Sequence, residues 1–316
     1  MSPSSPSKGA NALAELSAQL AGAVEASATS VVAIHARRRI PSSGIVWRDG
    51  VIVSANHTVR RDTEISVTLA TGDSTSAMII GRDAATDLVA LRVDGAGLRV
   101  AVRGDPDVAR VGSLVLAVGR PGRSASASLG IISSIGEGFR TWQGVRIDRV
   151  LRLDLAIYDG FSGGPLVSPA GGGTVIGINS SALARGAPVA LAASVVDRVL
   201  DELLERGHVR RPFIGVAVQP VALGAAVVAR HQLRAETALL VMSVADGAPA
   251  DTAGLAVGDV LIEANGQPLR RPIDLLDALT NTSSGGSLDL KRLRADTVGT
   301  VSVAPVDRGA EGAVEP

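Results

Sequence analysis

The chain contains no cysteine, so no disulfide supports its fold and none marks its compartment. Aromatic residues make up only 2% of it, and no Phe or Tyr precedes Trp47. Formal net charge is zero, with 31 Lys and Arg set against 31 Asp and Glu. The one basic run that stands out, Arg37-Arg38-Arg39, reads as a solvated loop, which argues against nucleic-acid or membrane-surface binding. No apolar run is long enough for a signal peptide core or a membrane span. Met1 to Gly9 are small and polar, and Glu15, Gln19 and Glu25 interrupt the next stretch. As written, the chain is expected to be soluble and cytoplasmic, or periplasmic or exported if its true start lies elsewhere. No metal-ligand cluster or phosphate-cradling motif is present, so no metal and no cofactor is expected.

The chain is rich instead in short apolar runs punctuated by glycine. Apolar residues reach 46% and glycines number 36 of 316 residues, which fits a mainly β protein with many tight turns. Trp47-Arg48-Asp49-Gly50-Val51-Ile52 carries an Asp-Gly hairpin turn. Glu64 to Leu69 alternate polar and apolar before Thr71-Gly72-Asp73 turns the chain. Repeated short strands of this kind predict barrels or sandwiches.

The most telling segment is Gly160-Phe161-Ser162-Gly163-Gly164-Pro165. Acyl transfer needs an exposed hydroxyl beside converging backbone N–H groups. Gly160 lets the chain turn so that its own N–H and that of Ser162 can point at one developing oxyanion. A serine nucleophile needs a base, and the base an orienting acid. Of the four histidines, His57 is the best placed, because it ends the run Val51-Ile52-Val53-Ser54-Ala55-Asn56 and so sits at a strand end. His35 reads as a solvent-facing strand residue, and His208 and His231 fall in later regions. Asp87 opens the apolar strand Leu88-Val89-Ala90-Leu91, where a partly buried carboxylate needs a partner. Asp73 and Asp83 are rivals in turn-like contexts.

These residues, in the order His57, Asp87, Ser162, resemble a chymotrypsin-like serine protease of the HtrA (Deg) branch. The resemblance rests on Thr86-Asp87-Leu88-Val89-Ala90-Leu91, Val111 to Pro121, the Ser162 loop and Val175-Ile176-Gly177-Ile178-Asn179. It runs from about residue 20 to residue 305. It implies a double β-barrel followed by a PDZ domain, which binds extended peptides by adding a strand to a sheet edge. The ordered set Gly247-Ala248-Pro249-Ala250, Ala253-Gly254-Leu255, Gly258-Asp259-Val260-Leu261 and Asn265-Gly266 resembles that domain.

The expected organisation is an N-terminal segment over 1–28 with a candidate helix, a protease domain over 29–207, a PDZ domain over 213–305 and a disordered tail over 306–316. A linker helix follows the barrels, with Ser194 as its cap and Val195, Val199, Leu203 and Leu204 on one face. Along 1–28, the stripe Leu13, Leu16, Leu20 and Val24 packs on the barrel or mediates assembly. The resemblance implies a trimer built through N-terminal aromatics, and the scarcity of aromatics here counts against it.

For the sites, the resemblance implies a specificity pocket near Ile157, Ile178, Asn179 and Ser180, with a preference for aliphatic side chains. It places peptide binding in the PDZ groove at Phe213, Ile214, Gly215 and Val216, flanked by Leu275, Leu276 and Leu279 on a helix. Two features depart from the family pattern: Phe161 before the serine, and Tyr158-Asp159 in the approach to Gly160. The main expectation is an ATP-independent endopeptidase acting on unfolded or damaged proteins. The competing one is a silent protease fold whose PDZ domain serves as a peptide-binding adaptor or chaperone.

Overall fold

The computed structural model describes residues 8–94, 98–136, 139–140, 146–147, 149–184, 187–282 and 285–307. Between Val209 and Arg210 the chain divides into two compact units. The first opens with helix α1 (Lys8–Ala28) and continues into β1 (Val31–His35), β2 (Ser42–Arg48), β3 (Val51–Ala55), β4 (Ile65–Thr68), β5 (Ser74–Asp83) and β6 (Leu88–Val93). These six strands close a barrel in the order β1-β2-β3-β6-β5-β4. The Asp49-Gly50 turn joins β2 to β3, and Gly50 takes the left-handed φ of 65° that the tight turn requires. Ile34, Ile52, Val67, Val89 and Leu91 fill this barrel.

A second barrel follows from β7 (Leu114–Gly119) and β8 (Ser126–Gly136). The short pair β9 (Phe139–Arg140) and β10 (Arg146–Ile147) comes next, then β11 (Val150–Asp154), β12 (Pro165–Ser168), β13 (Thr174–Ser180) and β14 (Val189–Ala192). Its order is β11-β14-β13-β12-β7-β8. Val115, Ile132, Leu151, Leu166 and Ile176 form its core. A further cluster joins Ile45, Trp47, Val53 and Leu88 to Val150, Ile178 and Leu191, so the two barrels share an apolar seam.

Helix α2 (Ala193–Arg206) seals that seam with Val195, Val199 and Leu203, while Leu204 packs at its margin. Indole Nε1 of Trp47 donates to Asp197 of this helix at 2.8 Å, and the Arg103 guanidinium lies 5.7 Å from the Trp47 ring centre. Ser194 does not cap α2. The N-cap is Ala192, because β14 runs straight into the helix and leaves no free turn for a capping hydroxyl. At the other end Gly207 closes the helix in the left-handed conformation. Only half of the α1 stripe packs. Ala23, Leu20 and Val24 lie on Leu116, Val118 and Val167, while Leu13 and Leu16 stay exposed.

The second unit runs through β15 (Pro212–Phe213), β16 (Val216–Ala222), α3 (Ala225–His231), β17 (Thr237–Val244), α4 (Pro249–Thr252), β18 (Val260–Ala264), β19 (Gln267–Pro268), α5 (Pro272–Thr280), β20 (Leu288–Arg294), β21 (Thr297–Val303) and β22 (Val306–Asp307). Its main sheet has the path β16-β17-β18-β20-β21, so β16 is an edge strand. Asp259 is 1% exposed and accepts hydrogen bonds from Arg292 and Arg294. Burial alone would raise its pKa, but those guanidiniums and the Ala256 N–H outweigh it and hold the carboxyl below its ordinary 3.8. Val306 and Asp307, assigned to the tail from sequence, pair with Phe213 and Pro212 as a strand. The rest of that expected tail, 308–316, lies outside the described residues, as do 1–7 of the N-terminal segment.

Candidate active site

Strand β3 ends at Ala55 and the chain makes one 3₁₀ turn, Asn56–Thr58, which carries His57 clear of the barrel. Arg82 steadies the turn by donating to Asn56 Oδ1 at 3.0 Å and to the Val59 carbonyl at 2.7 Å. Asp87 stands just before β6 with φ 56°, a left-handed backbone that aims its side chain across at His57. Its Oδ1 accepts the His57 backbone N–H at 2.8 Å, and its Oδ2 contacts His57 Nδ1 at 2.8 Å. A third donor, the Ser180 hydroxyl, reaches Oδ2 at 2.6 Å. Three hydrogen bonds offset the cost of burying this carboxylate, which is 5% exposed. A carboxylate only accepts, so Nδ1 carries a proton, and in the neutral imidazole Nε2 is left as the acceptor.

The rival acids spend their carboxylates locally. Asp83 accepts from the N–H and hydroxyl of Thr86, and Asp73 accepts from the Thr71 hydroxyl. His35 is exposed on β1 and contacts Thr68. His231 pairs with Asp296 in the second unit.

The Ser162 loop is held from both barrels. The Ser43 hydroxyl donates to the Gly160 carbonyl at 2.6 Å and accepts the Arg120 N–H at 2.7 Å. The Arg120 side chain is buried and binds the carbonyls of Ala28, Val31 and Arg123, and burial lowers its pKa. Gly160 has φ 89° and Gly163 has φ 86°. A Cβ on Gly163 would fall 2.3 Å from the Ser43 carbonyl oxygen and 2.7 Å from the Ala55 nitrogen, so only glycine fits. Neither the Gly160 N–H nor the Ser162 N–H has an acceptor among the described residues, as an oxyanion-binding pair requires.

Phe161 turns inward. It is 2% exposed, lies over Gly119 and meets Tyr158 edge to face at 5.4 Å. Its burial contributes roughly 1.5–3 kcal/mol to holding the loop. Asp159 faces solvent. The loop thus departs in sequence while its two backbone donors stay free.

Three of the four residues assigned to the specificity pocket have their side chains engaged inside the protein. Ile178 sits in the seam between the barrels. Asn179 is fully buried and donates to the Pro165 carbonyl at 2.7 Å. Ser180 is committed to Asp87. The cause is that β13 is paired on both edges and covered on both faces, so strand alternation offers no open side. Ile157 alone remains half-exposed.

Ser181 belongs to none of the sequence motifs, yet it stands at the centre of the site. Its hydroxyl is 2.9 Å from Ser162 Oγ and 3.3 Å from His57 Nε2, and its N–H donates to Ser162 Oγ at 3.2 Å. No hydrogen bond links Ser162 directly to His57 among the described residues. The only sequence signal was a second hydroxyl directly after Ser180.

In the second unit, Gly215 has φ 83°, and a Cβ there would fall 2.2 Å from that of Ala248. The carbonyls of Ile214 and Gly215 accept the N–H groups of Ala250 and Ala245. The N–H groups of Ile214 and Gly215 have no acceptor among the described residues. Leu275 and Leu279 belong to the core and are not free groove walls, because their i, i+4 spacing puts both on the stripe facing the sheet. Leu276 is half-buried. Phe213 is half-buried and pairs with Val306, and Val216 opens the edge strand.

Two closed six-stranded barrels sharing a seam, with His57, Asp87 and Ser162 on loops at that seam, define the chymotrypsin-like serine protease fold, here joined to a PDZ domain. The chain belongs to the HtrA (Deg) proteases. Residues 42–178 match a trypsin-like peptidase domain and residues 240–292 a PDZ domain. A probable periplasmic serine endoprotease DegP-like of Brucella suis is 32% identical over 291 residues, covering 88% of this chain and 55% of that protein. Its counterpart in Pseudomonas savastanoi is 35% identical over 259 residues, covering 80% and 53%. The chain spans about half the length of the curated relatives it matches. Among solved structures, the HtrA-type protease AlgW with decapeptide superposes with a TM-score of 0.73 at 25% identity, covering 91% of this chain and 98% of that one. The serine endoprotease from Yersinia pestis gives 0.73 at 26% identity, covering 91% and 97%. Among the described residues, no helix is long and apolar enough to cross a membrane.

Proposed function

We propose that this chain is an ATP-independent serine endopeptidase that cleaves unfolded or damaged proteins. Ser162 attacks the scissile carbonyl, and His57 Nε2 takes the proton and returns it to the leaving amine. Asp87 holds the imidazole in the required tautomer. The N–H groups of Gly160 and Ser162 bind the oxyanion, and Ile157 is the remaining wall of the primary pocket. The observation that carries this reading is the double hold of Asp87 on His57, one bond to its backbone and one to Nδ1, each 2.8 Å. That hold leaves Nε2 3.3 Å from Ser181 Oγ, which lies 2.9 Å from Ser162 Oγ. The names of the curated relatives, serine endoproteases of the periplasm, support both the activity and the exported alternative over a cytoplasmic location. The test is incubation without nucleotide of a reduced, alkylated, permanently unfolded protein beside its native form. Cleavage of the unfolded form alone is expected. Intact substrate after prolonged incubation, with no fragment from either form, would contradict the assignment.

The PDZ unit is proposed to take the C-terminus of a peptide between β16 and α5. The unpaired edge of β16 offers a ladder, and the free N–H groups of Ile214 and Gly215 suit a terminal carboxylate. Val216 begins that ladder, and Leu276 is the helix residue left to contact the peptide. Binding of a labelled peptide with a free C-terminus, followed by fluorescence anisotropy, is expected to weaken at least about tenfold on amidation, the loss of charge-assisted hydrogen bonds. Equal binding of the amide would show that the carboxylate plays no part in recognition.

A further inference from the structure

Attack by Ser162 needs its proton to pass to His57 Nε2, and the geometry interposes another hydroxyl. In the neutral imidazole, the form that can act as a base, Nδ1 donates to Asp87 and Nε2 accepts, so the Ser181 hydroxyl donates to it at 3.3 Å. The Ser181 oxygen then accepts the Ser162 proton at 2.9 Å, while the Ser181 N–H donates back to Ser162 Oγ at 3.2 Å. Every donor has one acceptor, and the nucleophile is bound twice by Ser181 and not at all by the base. We propose that Ser181 is a latch on the nucleophile, a positioning residue that holds Ser162 off His57 until a substrate displaces it. This rests on the protease reading above.

Two observations favour a latch over a proton relay. The Ser181 hydroxyl sits closer to the nucleophile than to the base, 2.9 Å from Ser162 Oγ against 3.3 Å from Nε2, so its stronger hold is on Ser162. Ser181 is also exposed, directly after β13, while Ser162 behind it is buried, so the latch is open to displacement from solvent. Ser180, its neighbour, is buried and bound to Asp87, so the latch is attached to a fixed post.

The test compares the rate of covalent labelling of Ser162 by a fluorophosphonate in the wild type, Ser181→Ala and Ser181→Thr. Loss of one neutral hydrogen bond predicts labelling about five-fold faster in Ser181→Ala. The gain should appear in the rate at saturating probe and not in probe affinity. Ser181→Thr keeps the hydroxyl and should return the rate to that of the wild type. Melting temperatures should agree, because the side chain is exposed. Slower labelling of Ser181→Ala would make the hydroxyl a relay, and an unchanged rate would make it a bystander. Either result overturns the latch. If wild type labels and Ser181→Ala does not improve on it, the latch alone fails. If none of the three proteins labels, the protease reading fails and takes the latch with it.

Discussion

Ser162→Ala is expected to lower turnover of an unfolded protein by about 10⁴- to 10⁶-fold, the range for removing a serine nucleophile from an intact site. The fold should not notice. The substitution deletes one oxygen, and the partners it leaves, the Ser181 hydroxyl and N–H, belong to an exposed residue that water can reach. Residual cleavage should come only from oriented binding and the two backbone donors. The measurement is steady-state cleavage beside a thermal melt. A variant that keeps its melting temperature and still cleaves at the wild-type rate would shift the chemistry to Ser181, whose oxygen also lies near His57 Nε2.

Asp87→Asn is expected to cost about 10⁴-fold in turnover while leaving substrate binding nearly unchanged. The carboxylate accepts from the His57 backbone, from Nδ1 and from Ser180. An asparagine places an NH₂ where one of those acceptors stood. If that group faces Nδ1, the ring proton moves to Nε2, and the base can no longer accept from serine. The change is isosteric, so the left-handed turn at Asp87 should survive, and asparagine tolerates that conformation well. A loss confined to the turnover number, with KM preserved, is the expected split. A large rise in KM with full turnover would mean that Asp87 shapes binding instead.

Much of this was legible in sequence because it depends on local chemistry. Asp49-Gly50 dictates a hairpin wherever it occurs between apolar strands. Gly160 announces a backbone conformation that other residues avoid. An aspartate heading an apolar strand must find a donor, and it found His57. The points that escaped depend on which face of an element meets which neighbour. Ile178 and Asn179 resemble pocket residues by position, but pairing of β13 on both edges buries them. Leu275, Leu276 and Leu279 look alike in sequence, and only packing against the sheet separates the two core residues from the third. Ser194 has the chemistry of a cap, but β14 leaves no turn in which to act as one. Ser181 is the extreme case. A second serine after Ser180 is a weak signal, and its importance comes from a hydroxyl position that loop geometry decides.

The most direct measurement is to react the wild-type protein with a fluorophosphonate and map the adduct by peptide mass spectrometry. A single stoichiometric adduct on Ser162 is predicted, since Ser162 lies beside the free N–H groups of its own loop. An adduct on Ser181, or none on either serine, would contradict the assignment of Ser162 as nucleophile.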